Sequence, residues 1–482
     1  MNDASKPYFV QALDALKKGD RRAGARLLAR QLHEGNTSAR NLPSVAQLAE
    51  HIGEVALAIE ARRLAIQPGV VDSLLAYWAA LAMHGRPAEA LAEIERQGSE
   101  VGDLPVVLHF RGNLATQLGR LEEAQALFRR AVAKAPAMQA SWFSLAMIKT
   151  FAAGDADLSA MERLHAQPGG PPEARATLCY ALGKAMEDLG DADRAFAFYA
   201  EGAALRRPQR PFDAARYLGA AQSAVADFTA QNLARLSPSG MAKQRSLFVT
   251  GLPRSGTTLT EQIILGHSSI ADGAEVGLFQ AALIPLLGSG LSAALDYQRR
   301  SEASDPWGDI GRDYASLIDG RFRATGAIVD KTLGQSLMTG LQLHALPEAR
   351  IAWLRRSPED VALSCFRTYF SMGLNWTDSL TDIADYMRAD DLLFEHWRAL
   401  FGERILAVPY EELVAAPAEW SERLQRHFGL PLESGAESTA TEARAVSTAS
   451  VAQVRQPIST ARIGRSADFE RHLRPFRERY YR

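Results

Sequence analysis

The sequence predicts an α + α/β chain, in which paired helices precede a parallel-sheet domain. A length of 482 residues exceeds what one ordinary hydrophobic core organises. Roughly the first 225 residues are rich in Ala, Leu and Arg, with apolar positions at the helical period. Beyond residue 243, β-branched runs alternate with helical stretches, as in parallel sheets. We therefore predict a helical domain at 1–228, a Pro/Gly/Ser-containing connector at 229–243 and an α/β domain at 244–482.

Composition limits the expected binding partners of the protein and its expected location in the cell. A formal net charge of −2 gives no drive toward nucleic acid or a membrane surface, so neither is an expected partner. The two cysteines, Cys179 and Cys365, are too few for a disulfide framework or a cysteine-rich zinc site. The first residues lack the apolar core of a signal peptide, and no apolar run is long enough to span a bilayer. We expect a cytoplasmic protein.

A short motif recurs in the helical region. Segments His84–Ile94 and Leu118–Phe128 place Gly, Ala and a large apolar residue at matching positions. Leu189–Tyr199 repeats this pattern, and Ile52–Pro68 is a weaker copy. Repetition at about 34 residues is typical of helix-turn-helix repeats that stack into a solenoid.

The best unit runs from Pro105 to Pro136 and resembles a tetratricopeptide repeat. Its characteristic positions are Leu108, Gly112, Ala115, Gly119, Ala124, Phe128, Ala131 and Pro136. Small residues let two helices pack closely, a glycine turns the chain, and a proline ends the second helix. The inner face of such a solenoid is suited to a peptide or protein, although a scaffold or a homodimer contact stays equally open.

Four apolar runs are predicted to be strands of the α/β domain: Ser246–Gly251, Gly326–Lys331, Arg350–Arg356 and Arg404–Tyr410. The first leads into a Gly-rich loop and a helix, which together form a cradle for anions. Gly251 and Gly256 have the spacing of a nucleotide-binding phosphate loop, but Thr257 stands where its lysine would be. The loop therefore suits a donor with fewer phosphate charges than ATP.

The residues "PRSGTT" after this strand resemble the 5′-phosphosulfate loop of sulfotransferases, which use 3′-phosphoadenosine 5′-phosphosulfate and release adenosine 3′,5′-bisphosphate. The family's second donor motif, an arginine after a strand and a serine eight residues on, matches Arg356 and Ser364. The resemblance implies that the donor is held by these two and by Arg254, Ser255, Gly256, Thr257 and Thr258.

Three downstream blocks extend the resemblance over nearly the whole chain: Tyr369–Trp376, His396–Pro417 and Ser447–Arg465. They are similar to bacterial proteins that join tetratricopeptide repeats to a sulfotransferase domain, related to the tyrosylprotein branch. Sulfuryl transfer to a hydroxyl group needs a base. The resemblance places Glu275 in that role, with His267 as the rival base.

Cationic side chains are expected to replace a metal ion, because the sulfuryl group carries less charge than a phosphoryl group. Arg254 is the first of these. Lys331 matches a family lysine near the leaving group, with a solvated lysine as the alternative. The resemblance also assigns Ser450 near the bridging sulfate oxygen and Arg465 to the donor, where the family usually has lysine. Tyr410 matches a donor-contacting tyrosine or is a core residue.

The acceptor stays open at this stage. Animal tyrosylprotein sulfotransferases carry arginines where this chain has Gly277 and Ala281. A peptide tyrosine, a sugar and a small phenol or alcohol are all compatible. Two other functions also stay open: a kinase or nucleotide triphosphatase, and a repeat adaptor with an inactive sulfotransferase-like domain.

Overall fold

The computed structural model describes residues 7–34, 38, 40–371, 373–435 and 458–482. The described part before the first strand is helical. Its helices are α1 (Tyr8–Lys17), α2 (Arg21–His33), α3 (Leu42–His51), α4 (Val55–Leu64), α5 (Val71–Met83), α6 (Pro87–Arg96), α7 (Gly98–Gly102), α8 (Pro105–Gln117), α9 (Leu121–Lys134), α10 (Gln139–Ile148), α11 (Ala156–His165), α12 (Pro172–Asp188), α13 (Ala192–Arg206), α14 (Ala214–Asp227) and α15 (Ala230–Leu233).

The remaining described residues alternate strands with helices. The elements are β1 (Ser246–Gly251), α16 (Thr257–Leu265), β2 (Ile270–Ala274), α17 (Leu278–Ala282), α18 (Gly290–Arg300), α19 (Pro306–Arg321), β3 (Ala327–Asp330), α20 (Thr339–Ala345), β4 (Ile351–Arg355), α21 (Pro358–Phe366), α22 (Leu380–Phe401), β5 (Ile405–Pro409), α23 (Tyr410–Ala415), α24 (Pro417–Phe428) and α25 (Arg474–Tyr480). The predicted α + α/β fold class is confirmed.

Six helix pairs form the repeat region: α1–α2, α3–α4, α5–α6, α8–α9, α10–α11 and α12–α13. The turn inside each pair has a glycine with φ between +75° and +80°, a left-handed conformation that glycine adopts without steric cost. These glycines recur every 32 to 36 residues, at Gly19, Gly53, Gly85, Gly119, Gly154 and Gly190. The structure therefore contains two pairs more than the sequence copies indicated.

Packing inside three of the pairs involves one smaller and one larger residue. In α8–α9 and α12–α13 the small residue is on the first helix: a Cβ added to Gly112 would overlap the ring of Phe128, and a Cβ on Gly183 would overlap Tyr199. In α5–α6 the larger residue, Trp78, is on the first helix and the smaller, Ile94, is on the second, and both are buried. These three pairs thus fill the space between their helices with different side chains.

The five strands form one parallel sheet in the order β2-β3-β1-β4-β5. Strand β1 lies between β3 and β4, with Phe248 opposite both Asp330 and Ile351. Because all strands are parallel, the segments that follow them emerge at the same edge of the sheet. The four predicted strands are all present, and β2 is an additional edge strand with an irregular register to β3.

The repeats contact the α/β domain near both of their ends. The turn at Gly53 packs on Leu278 and Leu317, and Arg22 of α2 pairs with Asp313 of α19 at 2.5 Å. At the other end, residues of α12 and α13 share a hydrophobic core with α21, α22 and α25. Helix α14 packs against α22, and Phe228 stacks edge-on against Trp397. The division of the chain at 228 and 243 stays a prediction.

No single helix in the described part of the chain is both long and apolar enough to cross a bilayer. Leu278–Leu286 and Gly290–Arg300 have that length and composition only together, and they are bent by 62° where they meet.

Candidate active site

The loop after β1 is shaped by three left-handed residues. Gly251 has φ +145°, Arg254 has φ +68°, and Gly256 has φ +109° and caps α16. A Cβ on Gly251 would lie 2.9 Å from the carbonyl oxygen of Leu354. The Ser255 hydroxyl donates to the loop's own carbonyl at Leu252, at 2.7 Å. The loop therefore turns tightly and presents the N-terminus of α16, where backbone N–H groups favour anions.

The structure brings the two predicted halves of the donor site together. Nε of Arg254 donates to Oγ of Ser364 at 3.1 Å, and Nη1 of Arg356 donates to the Arg254 carbonyl oxygen at 3.2 Å. The Arg356 guanidinium also lies 4.4 Å from the centre of the Tyr410 ring, which is buried. Arg254 is thus grouped with Arg356 and Ser364, and the ring of Tyr410 packs against the Arg356 guanidinium.

Asp360 anchors the segment from Gly464 to Ser466 onto this site. Its two carboxylate oxygens accept the backbone N–H groups of Ser466 and Gly464, each at 2.9 Å. Burial raises the pKa of Asp360, but these two donors and Arg356 outweigh burial and hold the pKa below its usual range. Arg465 lies between Gly464 and Ser466, so the bonds place its backbone close to Asp360, which pairs with Arg356. The predicted Ser450 lies outside the described residues.

Positive charge is concentrated at this site by five arginines: Arg254, Arg356, Arg367, Arg462 and Arg465. Burial, followed by the nearby charge of Arg367, lowers the pKa of Arg254 to about 10. Burial and the other arginines also lower the pKa of Arg462. Asp360 pairs with Arg356 and Glu187 pairs with Arg367. A cluster of arginines of this kind favours a multiply charged anion.

Sequence reasoning missed Arg367 and Arg462. Both are positioned by tertiary structure, although each has a local signal: one lies three residues after Ser364, the other three before Arg465.

A second group of charges surrounds Lys331 at the end of β3. This lysine is fully buried. Its Nζ lies 2.5 Å from Oε1 of Glu275 and 3.7 Å from Oε2 of Glu261. Glu275 is on the open side, with 44% of its side chain exposed, whereas Glu261 is 6% exposed. Burial raises the pKa of Glu261 to about 7, although Lys331 opposes that shift. Sequence reasoning missed Glu261, whose signal is that it is the one charged residue of α16, "TTLTEQIIL".

A hydrogen-bonded network fixes the backbone that follows Glu275. The Thr332 hydroxyl oxygen accepts the N–H groups of Val276 and Gly277 at 3.2 and 2.8 Å. Its proton goes to Asp330 at 2.5 Å, and Asp330 also accepts the Tyr314 hydroxyl at 2.8 Å. Burial raises the pKa of Asp330. The direction of the Glu275 segment is therefore set by buried groups of β3 and α19.

His267, the rival base, has both ring nitrogens engaged elsewhere. It is 3% exposed, and its Nε2 pairs with the Pro431 carbonyl oxygen at 2.8 Å. Its Nδ1 accepts the N–H of Ser269 at 3.0 Å. These bonds give His267 a structural position at the end of α16.

Three side chains in the repeats have the ligand types of a metal site. Among the described residues, the ligand atoms of His165, Cys179 and Glu201 lie within 4.8 Å of one another. Arg175 lies 3.6 Å from Glu201 and already supplies a positive charge there. Burial raises the pKa of the Cys179 thiol to about 12, which disfavours the thiolate that binds metals. The group lies on α11 to α13, in the repeat region.

Comparison with known proteins assigns families to two parts of the chain. Residues 246–434 match the sulfotransferase family, and residues 106–137 match the tetratricopeptide repeat. An uncharacterised protein of Aquifex aeolicus (strain VF5) is 27% identical over 394 residues, covering 79% of this chain and 50% of that protein. The chain thus spans about half the length of this curated relative.

Two solved structures are similar at low identity. The sulfotransferase domain of the Synechococcus PCC 7002 olefin synthase is 18% identical, with a TM-score of 0.34, over 48% of this chain and 90% of that one. Sulfotransferase STF1 from Mycobacterium tuberculosis H37Rv is 16% identical, with a TM-score of 0.31, over 69% of this chain and 99% of that one. The residues that match the sulfotransferase family thus coincide with the parallel sheet, and helical repeats precede them, of which one matches the tetratricopeptide repeat.

Proposed function

We propose that this protein moves the sulfuryl group of 3′-phosphoadenosine 5′-phosphosulfate to a hydroxyl acceptor. The observation that carries the proposal is the hydrogen bond between Arg254 and Ser364. It joins the loop suited to a 5′-phosphosulfate to the helix suited to a 3′-phosphate, inside a cluster of five arginines. A nucleotide with phosphates at both ends of its ribose matches two anion sites placed side by side.

Donor binding is assigned to both halves of this site. The N-terminus of α16, with the hydroxyl groups of Thr257 and Thr258, would hold the 5′-phosphosulfate together with the loop residues 254–256. Arg356 and Ser364 would hold the 3′-phosphate, with Tyr410 and Arg465 nearby. Ser255 contributes its oxygen and backbone, because its proton is committed to Leu252.

The transfer step uses the charges around Lys331. The acceptor oxygen attacks sulfur, and the bond from sulfur to the 5′-phosphate oxygen breaks with its electron pair kept by the bisphosphate. Glu275 takes the acceptor proton, since it is the exposed carboxylate of the group. Lys331 and Arg254 stabilise the charge that develops on the sulfuryl oxygens and the leaving group, so the proposal includes no metal ion. Ser450 is assigned beside the bridging oxygen from the family resemblance alone.

The proposal assigns one donor and three classes of acceptor. A peptide tyrosine, a sugar and a small phenol or alcohol each present the hydroxyl that Glu275 would deprotonate. The repeat region adds a surface suited to a peptide or protein substrate, in a cytoplasmic setting.

Ligand binding tests the proposal directly. Calorimetric titration should show that adenosine 3′,5′-bisphosphate binds more tightly than AMP, and that ATP is not preferred. Arg356→Ala should weaken the bisphosphate by roughly tenfold or more and change AMP little, because a charge-assisted hydrogen bond contributes about 1.5–3 kcal/mol.

Arg355→Ala is the matched control for Arg356. This arginine is the adjacent residue, but it pairs with Asp391 at 2.6 Å and stacks on Phe394, so its removal should leave both affinities unchanged. Equal losses of bisphosphate and AMP in Arg356→Ala would remove it from a 3′-phosphate site. Tight Mg²⁺-dependent binding of ATP with no response to the bisphosphate would overturn the proposal as a whole.

A further inference from the structure

Glu261 is a buried carboxylate that the transfer step described above leaves without a role. It lies on α16, four residues after Thr257, and its buried carboxylate is 3.7 Å from Nζ of Lys331. A Cβ on Gly273 would lie 3.1 Å from Oε1 of Glu261, so β2 closes that side of the carboxylate. One buried ammonium is thus shared between an inner and an outer glutamate.

Charge balance during the reaction gives the inner glutamate a purpose. When Glu275 takes the acceptor proton it becomes neutral, and its attraction for Lys331 falls. A fully buried ammonium without a counter-charge is strongly unfavourable. Glu261 is the remaining carboxylate within ion-pair distance of Lys331 in the part of the chain that the structure describes. It can keep the lysine charged and in place at the moment when the leaving group needs that charge.

The sharing of Lys331 between two glutamates also affects the protein before the reaction begins. With two carboxylates around one ammonium, each is only partly neutralised. The charged groups that act on Glu261 are Lys331 after β3, and Glu275 and Asp272 from the side of β2. Strand β1, "SLFVTG", contributes no titratable side chain, and no group of α24 is among the main charges that act on Glu261.

We infer that Glu261 is a positioning residue that shares the charge of Lys331, so that Glu275 stays an effective base and Lys331 stays paired after proton transfer. This inference rests on the proposed function. When Glu261 carries no charge, the ammonium of Lys331 interacts mainly with Glu275. This stronger attraction stabilises the ionised form of Glu275 and makes it a weaker base.

Glu261→Gln tests this inference, because it keeps the shape of the side chain and removes its charge. We expect kcat to fall by roughly three- to tenfold. The loss should be largest above about pH 7, where Glu261 is ionised, and should shrink as the pH falls, because protonated Glu261 has no charge for the substitution to remove. Affinity for adenosine 3′,5′-bisphosphate should be unchanged. Turnover is followed with labelled donor and whichever acceptor the wild type uses among a tyrosine peptide, a sugar and a phenol.

Two further variants control the result. Asp272→Asn removes a negative charge that acts on Glu261 without an ion pair to Lys331, so its pH profile should match the wild type. Glu261→Asp keeps the charge on a shorter side chain and should recover part of the rate, which supplies the test if the glutamine variant fails to fold.

The outcomes separate the two claims. An active wild type whose Glu261→Gln variant has the same kcat above about pH 7 refutes this inference and leaves the proposed function intact. Equal losses in Glu261→Gln and Asp272→Asn also refute it, since the effect is then a general charge effect. A wild type that neither binds the bisphosphate nor transfers a sulfuryl group refutes the proposed function.

Discussion

Arg206 and Asp378 form a completely buried ion pair across the boundary between the repeats and the α/β domain. Nη1 of Arg206, at the end of α13, lies 3.0 Å from Oδ1 of Asp378, just before α22. Both side chains are 0% exposed, and the guanidinium also lies over the ring of Tyr369 at 4.4 Å. Burial raises the pKa of Asp378 to about 6, although Arg206 opposes the shift. The boundary therefore contains a buried carboxylate whose nearer arginine is Arg206, with Arg210 at 3.9 Å.

Arg206→Met should destabilise the protein in a pH-dependent way. At pH 8 the substitution leaves the buried carboxylate with Arg210, 3.9 Å away, as its remaining arginine, at a cost of up to about 3–5 kcal/mol. Below pH 6 the wild-type Asp378 is itself protonated, so both proteins hold a neutral acid and most of the difference should vanish by pH 5. Urea unfolding at both pH values measures this. Adding Asp378→Asn to Arg206→Met should recover part of the loss at pH 8.

The adjacent Arg207 provides the control for this prediction. It pairs with Asp382 at 3.3 Å but is 56% exposed. Arg207→Met should cost less than about 1 kcal/mol at either pH. A similar loss in both variants, or a loss in Arg206→Met that is the same at pH 5 and pH 8, would contradict the role given to the buried pair.

Gly53→Ala and Gly190→Ala should differ, although both glycines have left-handed turns. Each variant is strained by about 1–2 kcal/mol, because φ is +80° at Gly53 and +76° at Gly190. Only Gly53 also faces the α/β domain, where a Cβ would lie 3.1 Å from Leu278. Thermal unfolding should therefore show the larger loss in Gly53→Ala, with a lower kcat, because α17 directly follows Glu275. Equal losses and equal rates would mean that the turn does not support the site.

Glu275→Gln should separate the base from the donor site. Turnover should fall by about 10²–10⁴ if Glu275 takes the acceptor proton, whereas bisphosphate affinity should change little. The variant should fold, because Glu261 still lies 3.7 Å from Lys331. Lys331→Ala should instead lose donor affinity and rate together. Calorimetry beside a turnover assay distinguishes these patterns, and a Glu275→Gln protein of near-normal rate would sink the assignment.

His109→Gln should flatten the acid side of the stability profile. His109 is held between Ser141 and Asn113, each at 3.1 Å, and burial lowers its pKa to about 4. The unfolded chain therefore binds the proton more tightly, so stability is lost as pH falls from about 6.5 toward 4, by up to about 1.4 kcal/mol per pH unit. Urea unfolding across this range should show a shallower slope in the variant. His33→Gln, at an exposed position, should keep the wild-type slope.

Local patterns predicted most of the fold. Strands β1, β3, β4 and β5 are apolar runs, whereas β2 is the short segment "IADGA", whose Asp, Gly and Ala have little strand propensity. The α10–α11 pair was missed because Ser159 and Arg163 occupy the positions of Ala124 and Phe128. Its turn glycine, Gly154, is the part of the pattern that remains.

The residues of the candidate site also divide into those that local sequence predicted and those that it did not. The loop at 254–258 and the Arg356 and Ser364 pair lie within short segments, so their resemblance to family motifs revealed them. The partners of Glu261 and Arg367 became visible in three dimensions, because they come from another strand or another domain.

The attachment of the repeats near both ends limits how this chain can vary in length. Solenoid proteins commonly gain or lose whole units, since each unit needs only its neighbours. Here the turns at Gly19 and Gly53 rest on Pro285 and Leu278, while Arg206 is tied to the loop before α22. Inserting or deleting one helix pair between these points would rotate and shift one attachment relative to the other. The number of helix pairs between these points is therefore constrained by the domain that they contact, so we expect related chains to vary in side chains and not in repeat count.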